Sequence, residues 1–174
     1  MSKNNPILQV KDLTVSFNAF AGKVQAVRGV SFDLNKGETL CIVGESGSGK
    51  SVTNKAIMGI LSKNAVIDRG EILYDGMDLT KLTEEQFCQI RGKRIAMVFQ
   101  DPLSALNPIM KVGKQITETL CIHQKLSHEQ AKKRALELMA AVGIPEPEKR
   151  FNQYPFQFSG GMRQRIVIVI ALAC

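Results

Sequence analysis

Eight consecutive residues, Gly44, Glu45, Ser46, Gly47, Ser48, Gly49, Lys50 and Ser51, mix three glycines with one ammonium and a closing hydroxyl. Glycine takes backbone angles closed to other residues. A loop of this composition therefore curls until several amide N–H groups point at one anion. Lys50 at this spacing can reach terminal phosphates, and the Ser51 hydroxyl can ligate magnesium. A second candidate follows at Phe158, Ser159, Gly160, Gly161 and Met162. Ser159 is a good helix N-cap. A glycine-flanked helix start with free N–H groups is an anion site. Taken alone, that segment fits an ordinary capped helix better. Gln100 closes a strand-like run at 94–99, and nothing local assigns it a role.

Those groups need elements to hold them. Leu40, Cys41, Ile42 and Val43 read as a short buried strand. From Lys50 to Leu61, apolar Val52, Ala56, Ile57, Ile60 and Leu61 follow helical spacing. Strand, glycine loop and helix are the setting the phosphate motif requires. A flexible Gly/Ser linker would not be wedged between two such elements. Residues 7–17 and 24–34 alternate as an antiparallel pair with Gly22 in the turn, and 70–76 read as a further strand ending in a turn. Together they predict a small antiparallel sheet beside the phosphate-loop core. Thr83 with Gln86 forms a capping box that opens a short helix.

From about residue 104 the pattern turns helical. Ile109, Val112, Ile116 and Leu120 share one face. Ser127 with Gln130 makes another capping box, followed by the stripe Ala131, Ala135, Leu138, Met139 and Val142. Gly143 and then Pro145 end that helix. Residues 166–170 read Ile-Val-Ile-Val-Ile, which local propensity assigns to a strand and which invites aggregation if uncovered.

Length and composition set the limits. The chain has 174 residues, 44% of them apolar, enough for one sizeable domain. No apolar stretch reaches the roughly 18–20 residues of a membrane span. Met1, Ser2, Lys3, Asn4, Asn5 and Pro6 lack the apolar core of a secretion signal, so a cytosolic chain is expected. Cys41, Cys88, Cys121 and Cys174 lie far apart in sequence and are expected as buried free thiols. His123 and His128 are expected at the solvated surface. The net charge is +7, with basic clusters at 91–94, 132–134 and 149–150. These favour solvated helix faces and attraction to an anionic leaflet. With two Tyr and no Trp, a nucleic-acid stacking platform is poorly supplied, and no nucleic-acid partner is expected.

Phe99, Gln100, Asp101, Pro102, Leu103, Ser104, Ala105, Leu106, Asn107 and Pro108, followed by Ser-Gly-Gly-Met-Arg-Gln-Arg at 159–165, resemble the ATP-binding subunits of ABC transporters. The resemblance runs from Ile7 to Cys174 and is to the oligopeptide/dipeptide branch, which also includes nickel importers. It implies an α/β fold, the P-loop NTPase ABC-type nucleotide-binding domain: a three-layer core with a small antiparallel β subdomain and an α-helical subdomain. The implied boundaries are about 1–103 for β subdomain and core, 104–158 for the helical subdomain and 159–174 for the signature helix, which decides for helix at 166–170. The implied cofactors are ATP and Mg2+. Gly44 to Ser51 become the phosphate loop, Ser51 and Gln100 touch magnesium, and Gln100 also senses the membrane partner. Ser159, Gly160 and Gly161 cap the γ-phosphate held by a second subunit. Phe17 stacks on adenine, with Phe20 as its competitor. Phe158 and Met162 stand where the family more often has Leu and Gln. The implied partners are a second ATP-binding subunit in a homo- or heterodimer, transmembrane permease subunits that dock on the helical subdomain, and indirectly an extracytoplasmic solute-binding protein. The implied place is the cytoplasmic face of the membrane.

The same resemblance places an Asp, a catalytic Glu and a switch His beyond the signature helix. The 174 residues hold none of them at matching positions, so the resemblance implies that the C-terminal part of the core is missing, and its strand is expected to be central in the core sheet. Glu45 matches no catalytic carboxylate. The fragment is therefore expected to bind ATP and hydrolyse little. The whole protein reads as a peptide-importer ATPase, with a nickel or other small-solute importer and a non-catalytic gene product as alternatives. A soluble P-loop kinase would leave Gln100 and the Ser-Gly-Gly segment unexplained.

Overall fold

The computed structural model describes residues 6–20 and 22–174, and the N-terminal residues 1–5 weighed above as a signal lie outside that range. The chain divides into two compact units, Met1–Gln89 and Ile90–Cys174.

The first unit is built on one antiparallel sheet of order β2-β1-β3-β4, from β1 (Leu8–Ala19), β2 (Gly22–Leu34), β3 (Ala65–Tyr74) and β4 (Met77–Asp78). The β1–β2 hairpin turns where expected, with Gly22 opposite Ala19. Val10, Leu13, Val15, Val27 and Ile72 are buried in the interior, although register shifts along β1 break strict alternation and bury Leu13 to Ser16 in a row. Helix α1 (Lys50–Ile57) packs Ala56 and Ile57 inward, and α2 (Glu84–Ile90) opens with the reciprocal Thr83–Gln86 box. Phe87 fills the space beside Gly59. Helix α1 stops at Ile57 rather than Leu61, because Gly59 turns the chain with φ 64°.

The second unit is helical: α3 (Pro102–Ala105), α4 (Val112–Gln124), α5 (His128–Ala141), α6 (Pro147–Arg150) and α7 (Gly160–Leu172). Its core joins Val112, Ile116 and Leu120 of α4 to Ala131, Ala135 and Met139 of α5 and to Ile166, Val167 and Val169 of α7. The β-branched run is therefore helix, and burial against α4 and α5 overrides its strand propensity. The Ser127–Gln130 box is formed, and Gly143, with φ 75°, follows the end of α5.

Several expectations need correcting. Segments 40–43 and 94–100 form no named strand. A strand buried on both faces needs hydrogen-bonded neighbours, and among the described residues none pairs with either segment beyond one isolated bridge, Arg91 to Ile95. Leu40, Ile42, Val43 and Val98 are exposed as a result. Cys41, in the first of these segments, is exposed with them, and Cys88 is exposed on α2. Cys121 and Cys174 are half-buried; all four are free. Ile109 is 86% exposed, because α4 begins only at Val112 and the helical period does not extend upstream of it. His128 is exposed as expected, but His123 is half-buried with its ring over Gly92.

Candidate functional site

The glycine loop and the N-terminus of α1 lie together in the first unit. Gly49 is the N-cap of α1 and stands at φ 92°, a left-handed conformation that disfavours any side chain. A Cβ there would also sit 2.5 Å from the Ala26 carbonyl oxygen of β2, so backbone angle and space both demand glycine. Thr53 locks the helix start by returning its amide and its hydroxyl to the Gly49 carbonyl at 2.9 and 3.1 Å. The loop rides against β2 at Ala26 and Val27.

Lys50 turns its ammonium back into the loop. Nζ donates to the carbonyls of Gly44 at 2.7 Å and Glu45 at 2.6 Å, and to Ser48 Oγ at 3.1 Å. The curl is tight: a Cβ at Gly44 would meet Ser48 Oγ at 2.8 Å. Residues 44–48 are otherwise exposed, which leaves the loop open to a ligand. A cradle with no room for a Cβ, a cation at its rim and a helix N-terminus beneath it fit a polyphosphate. Ser51 lies exposed on the first turn of α1, where its hydroxyl is available to magnesium. One protein hydroxyl matches the way magnesium keeps most of its shell in water and phosphate. Among the described residues no group of three or more His, Cys, Asp or Glu side chains converges on a metal.

Phe17 lies in β1, half-buried, with Val24 of β2 and Ala65 of β3 as its cross-strand neighbours. Phe20 stands fully exposed in the hairpin turn. Beside Phe17 is a cluster that the sequence did not announce. Ser16, fully buried, donates its hydroxyl to Asp68 on β3, and Lys23 on β2 donates to the other oxygen of the same carboxylate. These bonds, Lys23's first and Ser16's second, hold the Asp68 carboxyl below its ordinary pKa against the opposing effect of burial.

The remaining candidates lie in the second unit. Gln100 is exposed in a bend before α3. Ser159 caps α7, with Oγ accepting from the Met162 amide at 3.4 Å. Gly160 and Gly161 are exposed, and a Cβ on either would meet open space. Neither has a positive φ, so packing and backbone leave the choice of glycine unexplained at both positions. Phe158, which stands where the resemblance more often has Leu, is buried with Arg150 over its ring at 5.7 Å. Arg163 holds the approach to α7 by donating to the carbonyls of Pro155 at 2.8 Å and Phe156 at 3.3 Å.

A glycine phosphate loop at a helix start beside an antiparallel sheet, together with an exposed Ser-Gly-Gly helix start, is the equipment of a nucleotide-binding cassette. The chain belongs to the ABC transporter family, whose model matches residues 27–174. It is similar to the oligopeptide transport ATP-binding protein OppD of Bacillus subtilis (strain 168), 61% identical over 168 residues that cover 96% of this chain and 47% of that protein. It is similar also to the dipeptide transport ATP-binding protein DppD of Lactococcus lactis subsp. cremoris (strain MG1363), 58% identical over 96% of this chain and 48% of that protein. Among solved structures, the ATP-binding cassette MJ0796, a dimer in a post-hydrolysis state bound to ADP and Pi, matches with a TM-score of 0.84 at 28% identity. That match covers 95% of this chain and 69% of the cassette. The chain spans about half the length of the curated relatives it matches. Its fold class is thus the ABC-type nucleotide-binding domain. No helix among the described residues is long and apolar enough to cross a membrane.

Proposed function

We propose that this protein binds Mg-ATP and is the ATP-binding subunit of an importer for oligopeptides or dipeptides. The observation that carries the nucleotide reading is the Lys50 ammonium, fixed by Gly44, Glu45 and Ser48 at the mouth of a loop too tight for a Cβ. The peptide reading is supported by the oligopeptide and dipeptide transport relatives. ATP, when bound, would supply the transferable phosphoryl group. Gly44, Glu45, Ser46, Gly47, Ser48 and Gly49 would present main-chain amides to its phosphates, Lys50 would neutralise charge, and Ser51 would hold magnesium together with Gln100. Phe17 would carry the base.

Ser159, Gly160 and Gly161 would meet the nucleotide of a second ATP-binding subunit. The open space above both glycines supports that role, since a ligand can approach the amides there. Residues 104–158 would dock on transmembrane permease subunits at the cytoplasmic face of the membrane, served from outside by a solute-binding protein. Residues 1–103 would form β subdomain and core, and 159–174 the signature helix. Phosphoryl transfer also needs carboxylates that hold magnesium and orient water. No residue of the 174 matches those positions, so these residues alone bind nucleotide with little turnover.

Calorimetry with millimolar Mg-ATP tests the reading. Lys50→Ala is expected to weaken binding by roughly 10–100-fold, the loss of one charge-assisted contact. A flat trace from well-folded wild-type protein would overturn the proposal.

A further inference from the structure

We infer that Asp68 is a positioning residue for the nucleotide base: by tying Ser16 of β1 and Lys23 of β2 to β3, it fixes Phe17, rather than Phe20, as the platform on which the base stacks. The inference rests on the nucleotide reading above and deepens it.

The ladder along β1 is irregular. Along β1 the pairing with β2 shifts register between Leu13 and Val15 and again between Val15 and Ser16. The pairing with β3 shifts between Lys11 and Thr14 and between Thr14 and Val15. A slip of one residue turns every later side chain to the opposite face. Ser16 and Phe17 are the first residues past the last of these shifts, so the ladder behind them does not fix which face Phe17 occupies. Side chains supply the missing constraint. Ser16, fully buried, donates to Asp68, and Lys23 donates to the same carboxylate at 2.5 Å, so three strands are tied at one point. A buried hydroxyl requires a partner, and a shifted register would separate Ser16 from Asp68. Regular pairing resumes at the tie itself, Ser16 with Gln25 and Val66, and carries on through Phe17 with Val24 and Ala65.

The tie also bears on the phosphate loop through β2. Ala26 and Val27, two and three residues beyond Val24, are the residues that abut Gly49. Strand rise puts that contact roughly 7–10 Å along β2 from the partner of Phe17, comparable to the reach of a nucleoside from phosphate to base. Phe20 sits beyond the tie in the turn, fully exposed.

Binding of Mg-ATP and of Mg-tripolyphosphate, the same phosphates without a nucleoside, separates the base platform from the phosphate cradle. Asp68→Ala and Phe17→Ala are each expected to weaken ATP roughly tenfold, the value of one stacked base, and to leave tripolyphosphate unchanged. Because both act through one platform, the double variant is expected to be no weaker than Phe17→Ala alone. Lys23→Met, at an exposed position, should move ATP in the same direction and provides the second case if Asp68→Ala fails to fold. Equal weakening of both ligands, no weakening of ATP, or full additivity with Phe17→Ala would overturn the inference and leave the phosphate loop standing. A wild-type protein that binds neither ligand would overturn the nucleotide reading and this inference together.

Discussion

Asp68 brings a pH dependence whose sign follows from its hydrogen bonds. Its carboxyl is held below the ordinary value by Lys23 first and Ser16 second. A depressed carboxylate adds stability that is fully present above its unfolded value, about 4, and that is lost as pH falls through the lower folded value. Asp68→Asn is therefore expected to flatten the acid limb of a urea-midpoint profile below about pH 4 and to leave the pH 5–7 slope unchanged. A changed slope between pH 5 and 7 would contradict the assignment. At this scale, what the sequence reveals depends on distance along the chain. Lys50 is legible because its partners Gly44, Glu45 and Ser48 lie at most six positions away. Asp68 is not, because Lys23 and Ser16 lie 45 and 52 positions away and only the folded sheet brings them together.

Elements whose signals are local appear where expected. The Thr83–Gln86 and Ser127–Gln130 boxes form as read, because each needs only residues three apart. The strand expected at 40–43 does not form, because a strand depends on a neighbour that no local pattern can guarantee. Ile166, Val167 and Val169 show the reverse case: strand-favouring residues become helix because a buried face is offered to them. Two substitutions separate local from tertiary control. Ser127→Ala removes one cap and should cost about 1 kcal/mol. Gly113→Ala would push a Cβ within 2.4 Å of the Phe151 ring, where the Gly113 amide also donates to the Phe151 carbonyl at 2.9 Å. Overpacking of that kind should cost about 1–3 kcal/mol. Chemical denaturation of both variants checks the order, and a Gly113→Ala protein as stable as wild type would refute the packing argument.

At the scale of the whole molecule, the sheet unit and the helical unit each have their own core, but Ile42, Val43 and Val98 remain exposed on segments that form no strand. Exposed apolar segments outside any sheet are templates for association. Light scattering is expected to rise with protein concentration, and Val98→Lys to lower it without changing the helical signal in circular dichroism. Scattering independent of both concentration and substitution would show that these segments are covered in solution.

The seat of Lys50 bears on which replacement could serve there. One nitrogen serves three acceptors 2.6–3.1 Å away, one for each of the three donors of an ammonium. A guanidinium is a flat fork with its donors spread over three nitrogens. Arginine would keep the positive charge at position 50 and still lose this geometry.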